Sequence, residues 1–355
     1  MNDTVPHFGT VALTGATGWL GNRVIEMLLA ESDDPARRRF TLERVLCFAR
    51  DPERLPAIAR TDARVQVSKG DIRGSEDLKR FAAASGACVL IHSAGMIHPK
   101  RYREFAEINT AGTQNLLDAF EAAGTCARAV VVSSNSPIGV SRDPNVVFTE
   151  ESPFNPYMGY GRSKVPMEQS IGERNRRGGL DTVIIRPPWF YGTHQPPRQS
   201  EFFRMIRDGR VPIVGDGTNK RSMAYLDNIY DGLVLTLTVP AASRETYWIA
   251  DARPYTMNEI VDTVEEVLEQ DFDVPCAHKR MRLPGAVGDL ATAMDAAIQG
   301  MGLYEQKIHV LGEMNKTIAC SVDKARRELG YNPAVELREG MRRSIRWLFD
   351  NRGGI

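Results

Sequence analysis

Thr10-Val11-Ala12-Leu13-Thr14-Gly15-Ala16-Thr17-Gly18-Trp19-Leu20-Gly21 is the stretch on which the reading of this chain turns. Residues 10–14 have the apolar, β-branched character of a short buried strand. The apolar pairs beyond the glycines, Val24-Ile25 and Met27-Leu28-Leu29, repeat at helical spacing. Strand, glycine-rich turn and helix together open a dinucleotide-binding unit. The glycines permit the tight turn and let backbone amides approach a pyrophosphate at the positive end of the helix. Gly15, Thr17, Gly18, Trp19, Leu20 and Gly21 are therefore candidate cofactor contacts. A glycine turn with no ligand is the plain alternative, and the flanking strand and helix favour the binding unit.

Further strands follow at the spacing of an alternating α/β chain. Residues 44–49 make the second, and it ends in Ala49-Arg50 rather than in the acidic residue that would take a ribose 2′-hydroxyl. A guanidinium suits a 2′-phosphate, so Arg50 favours NADP(H), with NAD(H) possible. A solvated surface arginine is the other reading. Residues 65–68 form a third strand before Gly70-Asp71-Ile72, where Asp71 and Ile72 are placed to hold an adenine. Residues 87–92 form a fourth, closing on Ser93, Ala94 and Gly95, small enough for a cofactor to pass. A fifth at 128–132 runs into Ser133-Ser134-Asn135-Ser136. A sixth at 182–186 runs into Pro187-Pro188-Trp189-Phe190-Tyr191-Gly192. All these loops fall at carboxyl ends of strands, where open parallel sheets bind ligands. The expected fold is α/β, a doubly wound parallel Rossmann sheet with a smaller, mostly helical C-terminal substrate lobe. The boundaries read as 8–191 plus about 220–250 for the first unit, and 192–219 with 251–355 for the second.

A helix over 157–175 puts Tyr160 and Lys164 one turn apart on one face. An ammonium beside a phenol stabilises phenolate and is expected to bring Tyr160 closer to working pH as a general acid or base.

Composition excludes several classes. Lys+Arg and Asp+Glu both number 45 in 355 residues, so a general nucleic-acid or anionic-membrane binder is not expected. Five cysteines show no metal-ligand spacing and read as reduced. The six histidines are scattered, no metal constellation is seen, and His92 reads as a structural strand-end residue. No signal peptide or membrane span is visible, so a cytoplasmic protein is expected.

Taken in order, TGATGWLG, the GDI at 70–72, HSAG at 92–95, NTAGTQNLL at 109–117, VVSS at 131–134, YGRSK at 160–164, RPPWFYG at 186–192 and SVDKARRELGYNPAVELREGMRRSI at 321–345 resemble the extended short-chain dehydrogenase/reductase family. The resemblance implies Tyr160 as general acid/base, with Lys164 lowering its pKa and binding the nicotinamide ribose. It implies Ser134 on the reacting oxygen and Asn109 supporting the lysine through a water. Ser133 and Ser136 compete for the serine role, and the five-residue spacing to Gly139 favours Ser134. Ile138 departs from the family's aromatic at that point. Pro187 and Pro188 resemble the segment that closes over the nicotinamide, and a homodimer through helices near 103–123 and 157–175 is implied.

On the substrate side, Arg221 stands where nucleotide-sugar enzymes of the family often hold a diphosphate, with a surface ion pair as the alternative. Trp189 replaces their polar asparagine and suits a flat, apolar substrate, and the Arg186-Pro187-Pro188 start of the loop resembles the 3β-hydroxysteroid dehydrogenase and dihydroflavonol reductase branch. His194 faces either substrate or solvent. Residues 283–301 form an apolar helix: a lid, a membrane-touching helix or, as favoured here, packing within the lobe. Arg338, Arg342, Arg343 and Arg346 read as the solvated basic face of a C-terminal helix. The expected activity is NADP(H)-dependent interconversion of a ketone and a secondary alcohol on a small, partly apolar metabolite. The alternative is a nucleotide-sugar epimerase or dehydratase that retains its cofactor.

Overall fold

The computed structural model describes residues 6–34 and 38–355. The chain alternates from the start: β1 (His7–Thr14), α1 (Trp19–Asp33), β2 (Thr41–Ala49), α2 (Ala57–Thr61), β3 (Val65–Lys69), α3 (Ser75–Ser85) and β4 (Cys88–His92). A π-helical stretch, Ala106–Gly112, leads into α4 (Thr113–Ala123), then β5 (Cys126–Val132), α5 (Met158–Arg176) and β6 (Thr182–Arg186). Among the described residues these strands and β10 (Thr246–Trp248) make one seven-stranded sheet, ordered β10-β6-β5-β4-β1-β2-β3, with every pairing parallel. Apart from the edge strand β3, which is largely exposed, the strands are covered by helices on both faces and read mainly as apolar runs.

The strand order reverses between β1 and β4, whose register pairs Thr14 with His92. That reversal opens a crevice just beyond both carboxyl ends. One apolar cluster packs β1, α1 and α7 (Leu226–Thr238) on one face, and a second packs α3, α4 and α5 on the other.

After β6 the chain leaves and re-enters the sheet region. It forms β7 (Trp189–Tyr191), α6 (Pro197–Arg207), β8 (Pro212–Val214) and β9 (Lys220–Tyr225), then α7 and β10. Beyond these lie β11 (Pro254–Thr256), α8 (Met257–Phe272), β12 (Met281–Leu283), α9 (Gly285–Gly300), α10 (Gln306–Glu313), α11 (Asp323–Leu329) and α12 (Leu337–Arg352). A third apolar cluster joins Tyr191, Phe203, Met223, Ile260, Val264, Met341 and Ile345. Asp251 fastens it to the sheet, accepting from Tyr191 Oη at 2.8 Å, Tyr225 N at 2.9 Å and Asn228 Nδ2 at 2.8 Å.

Arg338, Arg342 and Arg343 lie on the exposed face of α12 as expected, and there they pair with Glu266, Asp271 and Glu339. One expectation needs correcting. The apolar face of α9 is only partly packed away: Ala291 is buried, whereas Leu290, Met294 and Met301 are 62%, 47% and 68% exposed.

Candidate active site

The crevice is built from glycines that nothing larger can replace. Gly15 has φ +77°, and a Cβ there would meet Ser93 and Ala94 at about 2.5 Å. The turn therefore lies directly on the end of β4, which is why residues 93–95 are small. The first turn of α1 starts after Gly18 and carries no acidic residue. Its amides point at an uncontested, electropositive space, which fits a pyrophosphate. Trp19 donates from Nε1 to Thr193 O at 2.5 Å and packs on Phe190 at 5.5 Å, tying the turn to the segment after β7.

Arg50 is exposed just past β2, 3.9 Å from Asp71, which also binds Arg73 at 2.6 Å. The Arg73 bond holds the Asp71 carboxyl below the usual range. Ile72 is buried beneath Gly112 of the π-helical stretch.

On the other side of the crevice, Tyr160 and Lys164 share one face of α5, with Lys164 Nζ 5.9 Å from the Tyr160 ring centroid. Lys164 is buried and donates to Val132 O at 3.2 Å, at the end of β5. The expected depression of the tyrosine does not occur. Burial pushes the Tyr160 phenol up to about 12, opposed by a hydrogen bond with Ser134. Burial also pushes Lys164 down to about 8, opposed by Glu168. Desolvation of two neighbouring groups outweighs an attraction acting across several ångströms.

The serine loop separates its members. Ser133 Oγ donates to Glu168 at 2.5 Å, inside a buried ion pair that Glu168 makes with Arg186 at 2.6 Å. Ser134 Oγ instead lies 3.2 Å from Ser136 Oγ, beside Tyr160. Asn109 is buried and bonds Met96 N at 2.7 Å, Met96 O at 2.9 Å and Ser163 Oγ at 2.9 Å. A Cβ on Gly95 would lie 3.4 Å from Asn109 Oδ1 and 3.7 Å from Lys164 Nζ, so these three residues meet. Asn109 sits in the π-helical stretch, a distortion frequent at functional sites.

The predicted substrate residues divide. Trp189 is half-buried and packs edge-on to Phe202 at 5.7 Å. Arg221 is buried on β9, donates to Glu313 O at 2.5 Å, and leaves its Nε without a hydrogen-bond partner. It is not a surface ion pair. His194 does not face the crevice: it pairs with Glu26 at 2.9 Å and packs on Trp347 at 5.4 Å, well along α1 from the glycine turn.

The sequence reading missed what holds α5 in place. Met158 has φ +54°, and no side chain at Tyr157 caps the helix. The cap comes from α9: Gln299 Oε1 accepts from Gly159 N at 2.8 Å. Gln299 Nε2 donates to buried Asp295 at 2.9 Å, and Asp295 meets His309 of α10 at 2.7 Å. The available signal was a pair of polar residues at i, i+4 on an otherwise apolar helix.

The profile of the NAD dependent epimerase/dehydratase family matches residues 11–250. An uncharacterised Sinorhizobium fredii protein, y4nL, is 45% identical across 96% of this chain and 95% of its own. The 3 beta-hydroxysteroid dehydrogenase/Delta 5-->4-isomerase of Mycobacterium tuberculosis is 28% identical across 94% of this chain and 89% of its own. The crystal structure of DesIV, a dTDP-glucose 4,6-dehydratase of Streptomyces venezuelae with NAD bound, superposes with a TM-score of 0.74. It is 27% identical over 97% of this chain and 98% of its own.

Proposed function

Because this chain belongs to the NAD dependent epimerase/dehydratase family, within the extended short-chain dehydrogenase/reductases, we propose that it interconverts a ketone and a secondary alcohol on a small, partly apolar metabolite. The observation that carries the reading is the meeting of Ser134, Tyr160 and Lys164 beside the glycine turn at the reversal of strand order. The lobes divide as 8–191 plus about 220–250 for cofactor and the remainder for substrate.

In the reducing direction Ser134 holds the carbonyl oxygen and Tyr160 gives it a proton. Lys164, charged below about pH 8, stabilises the phenolate left behind. A nicotinamide held there would supply the hydride for the carbonyl carbon, completing the alcohol. Pro187 and Pro188 would cover its ring, Gly95 and Asn109 border Lys164, and Asp71 and Ile72 would hold the adenine. Arg50, exposed at the end of β2, favours NADP(H) through the 2′-phosphate. Trp189 supplies an apolar wall.

A second reading is favoured by Arg221, whose buried Nε lacks a partner and suits a substrate diphosphate. That points to a nucleotide-sugar epimerase or dehydratase with retained cofactor.

The deciding experiment releases and identifies any dinucleotide held by the purified protein, then titrates NADPH against NADH and assays hydride transfer on ketone and nucleotide-sugar panels. Preference for exchangeable NADPH, with Tyr160→Phe losing at least about 100-fold in turnover, is the expected result. Tightly retained NAD with conversion of a UDP- or dTDP-sugar would establish the second reading. Normal turnover in Tyr160→Phe would overturn both.

A further inference from the structure

The helix α9 is turned inside out. Its polar residues Asp295 and Gln299 are buried, where they bond His309 and cap α5. Its apolar residues Leu290 and Met294 are exposed, as is Met301 just past its end, while Val287 and Ile298 are half-buried. Beside them Leu303, in the turn to α10, and Val310, on α10, are 56% and 45% exposed. Rotating α9 to hide these side chains would break the contacts that seat the helix carrying Tyr160, so the outward face is fixed by the inward one.

A neighbouring loop extends the surface. Tyr102 N donates to Gly302 O at 3.2 Å, and His98 Nδ1 meets Tyr304 Oη at 3.0 Å. These bonds place Ile97, 36% exposed, together with exposed Lys100 and Arg101 beside the hairpin turn. Lys307 is exposed on α10. Among the described residues, none of these three cations has a side-chain hydrogen bond or an ion pair. The acids of the hairpin are already engaged. Exposed Glu305 caps α10, and half-buried Asp289, near the start of α9, pairs with Lys316 and Arg142. In the neighbouring loop half-buried Glu104 accepts from Lys100 N at 3.3 Å, so the fringe carries a net positive charge.

We propose that the α9–α10 hairpin is a docking surface for an anionic lipid bilayer. With 16 residues, α9 is roughly 24 Å long and carries carboxylates, so it lies in the interface rather than crossing it. Its exposed residues enter the acyl boundary, while Lys100, Arg101 and Lys307 meet lipid phosphates. A second copy is the poorer occupant, because a self-complementary contact would bring two fringes of one sign together. The zero net charge of the whole chain does not bear on this, since attraction to headgroups acts within about 10 Å. The proposal does not depend on which substrate the crevice takes.

Co-sedimentation of the full chain with vesicles tests it, using phosphatidylcholine alone and with about one third phosphatidylglycerol. The chain is expected to pellet with the anionic vesicles, less so at high salt. Leu290→Glu with Met294→Glu should weaken binding at least tenfold while leaving dinucleotide titration unchanged. Met301→Glu with Leu303→Glu should do the same if the first pair misfolds. Lys100→Glu with Arg101→Glu should lower binding to anionic vesicles alone. Wild-type protein that stays in solution with both vesicles overturns the proposal, as does undiminished binding by both apolar pairs. A chain that dimerises in sedimentation equilibrium through Met294 and ignores vesicles makes this face a copy-to-copy interface, which overturns it too.

Discussion

His92 stands close to Lys164 at the end of β4, yet its bonding takes it out of the chemistry. Thr113 Oγ1 already donates to Asn109 O at 2.8 Å, so His92 Nε2–H donates to Thr113 at 2.8 Å, and Nδ1 accepts from Thr14 at 2.6 Å. The hydrogen-bond network thus assigns a neutral tautomer. Burial, with Lys164 nearby, pushes the imidazole down to about 3. The unfolded chain therefore takes up this proton first. The stability due to neutral His92 is complete above about pH 6.5 and is lost as the pH falls toward 3, over a range of a few kcal/mol. Thermal midpoints measured from pH 7 down to pH 4 should fall less steeply in His92→Gln than in the wild type. Parallel slopes would show that other groups drive acid unfolding. The sequence places His92 correctly as structural, because a histidine closing an apolar strand points into the sheet's cover. It misleads on Tyr160, because spacing shows that an ammonium is near but not that both groups are desolvated.

At the scale of elements, α5 depends on a partner 140 positions further along the chain. Its N-terminus begins with a left-handed Met158 and lacks a cap of its own. Gly159 faces Tyr102 and Gln299 too closely for any side chain. Replacing Gln299 by Met should cost about 1 kcal/mol of stability, the usual worth of a cap. It should also lower kcat about tenfold, with KM nearly unchanged, because Tyr160 sits one residue from the released amide. Gln299→Glu combined with Asp295→Asn, which keeps the acceptor for Gly159 N and reverses the donor between the two side chains, should restore most of kcat. Loss confined to KM, or no rescue, would mean that the contact serves only packing. The elements of the first unit were legible because short apolar runs, glycine turns and serine loops recur in register with a parallel sheet. The α9 contact was not, since its apolar periodicity reads identically whether the apolar side faces in or out. His194 illustrates a related limit: the RPPWFYG loop marks the crevice, but His194 is in the left-handed region, φ +56°, and its own side chain reaches Glu26 of α1 instead.

For the whole molecule, the two parts are interleaved rather than strung in sequence. Segments from 191–225, 255–268 and 335–348 build the third apolar cluster, and the chain returns to the sheet between them through α7 and β10. Asp251 bonds Tyr191, Tyr225 and Asn228, and Asn228 reaches Val335 at 2.8 Å. Arg23 of α1 binds Asp227 at 2.7 Å. The repeated chain crossings and the bonds of Asp251 and Asn228 tie the parts together, so calorimetry should show one cooperative transition that a bound dinucleotide moves upward as a unit. Two resolved transitions, only one of them moved by dinucleotide, would overturn this coupling.

The bond from Trp19 to Thr193 gives the molecule an optical property. The indole is held at the start of α1 by a 2.5 Å bond and by Phe190. Trp248 is fully buried, Trp347 lies against His194, and Trp189 packs on Phe202. Indole emission overlaps the absorption of a reduced nicotinamide, so a dinucleotide seated beside the glycine turn would quench this ring. Emission then becomes an optical gauge of occupancy to which Trp19 and Trp189 both contribute.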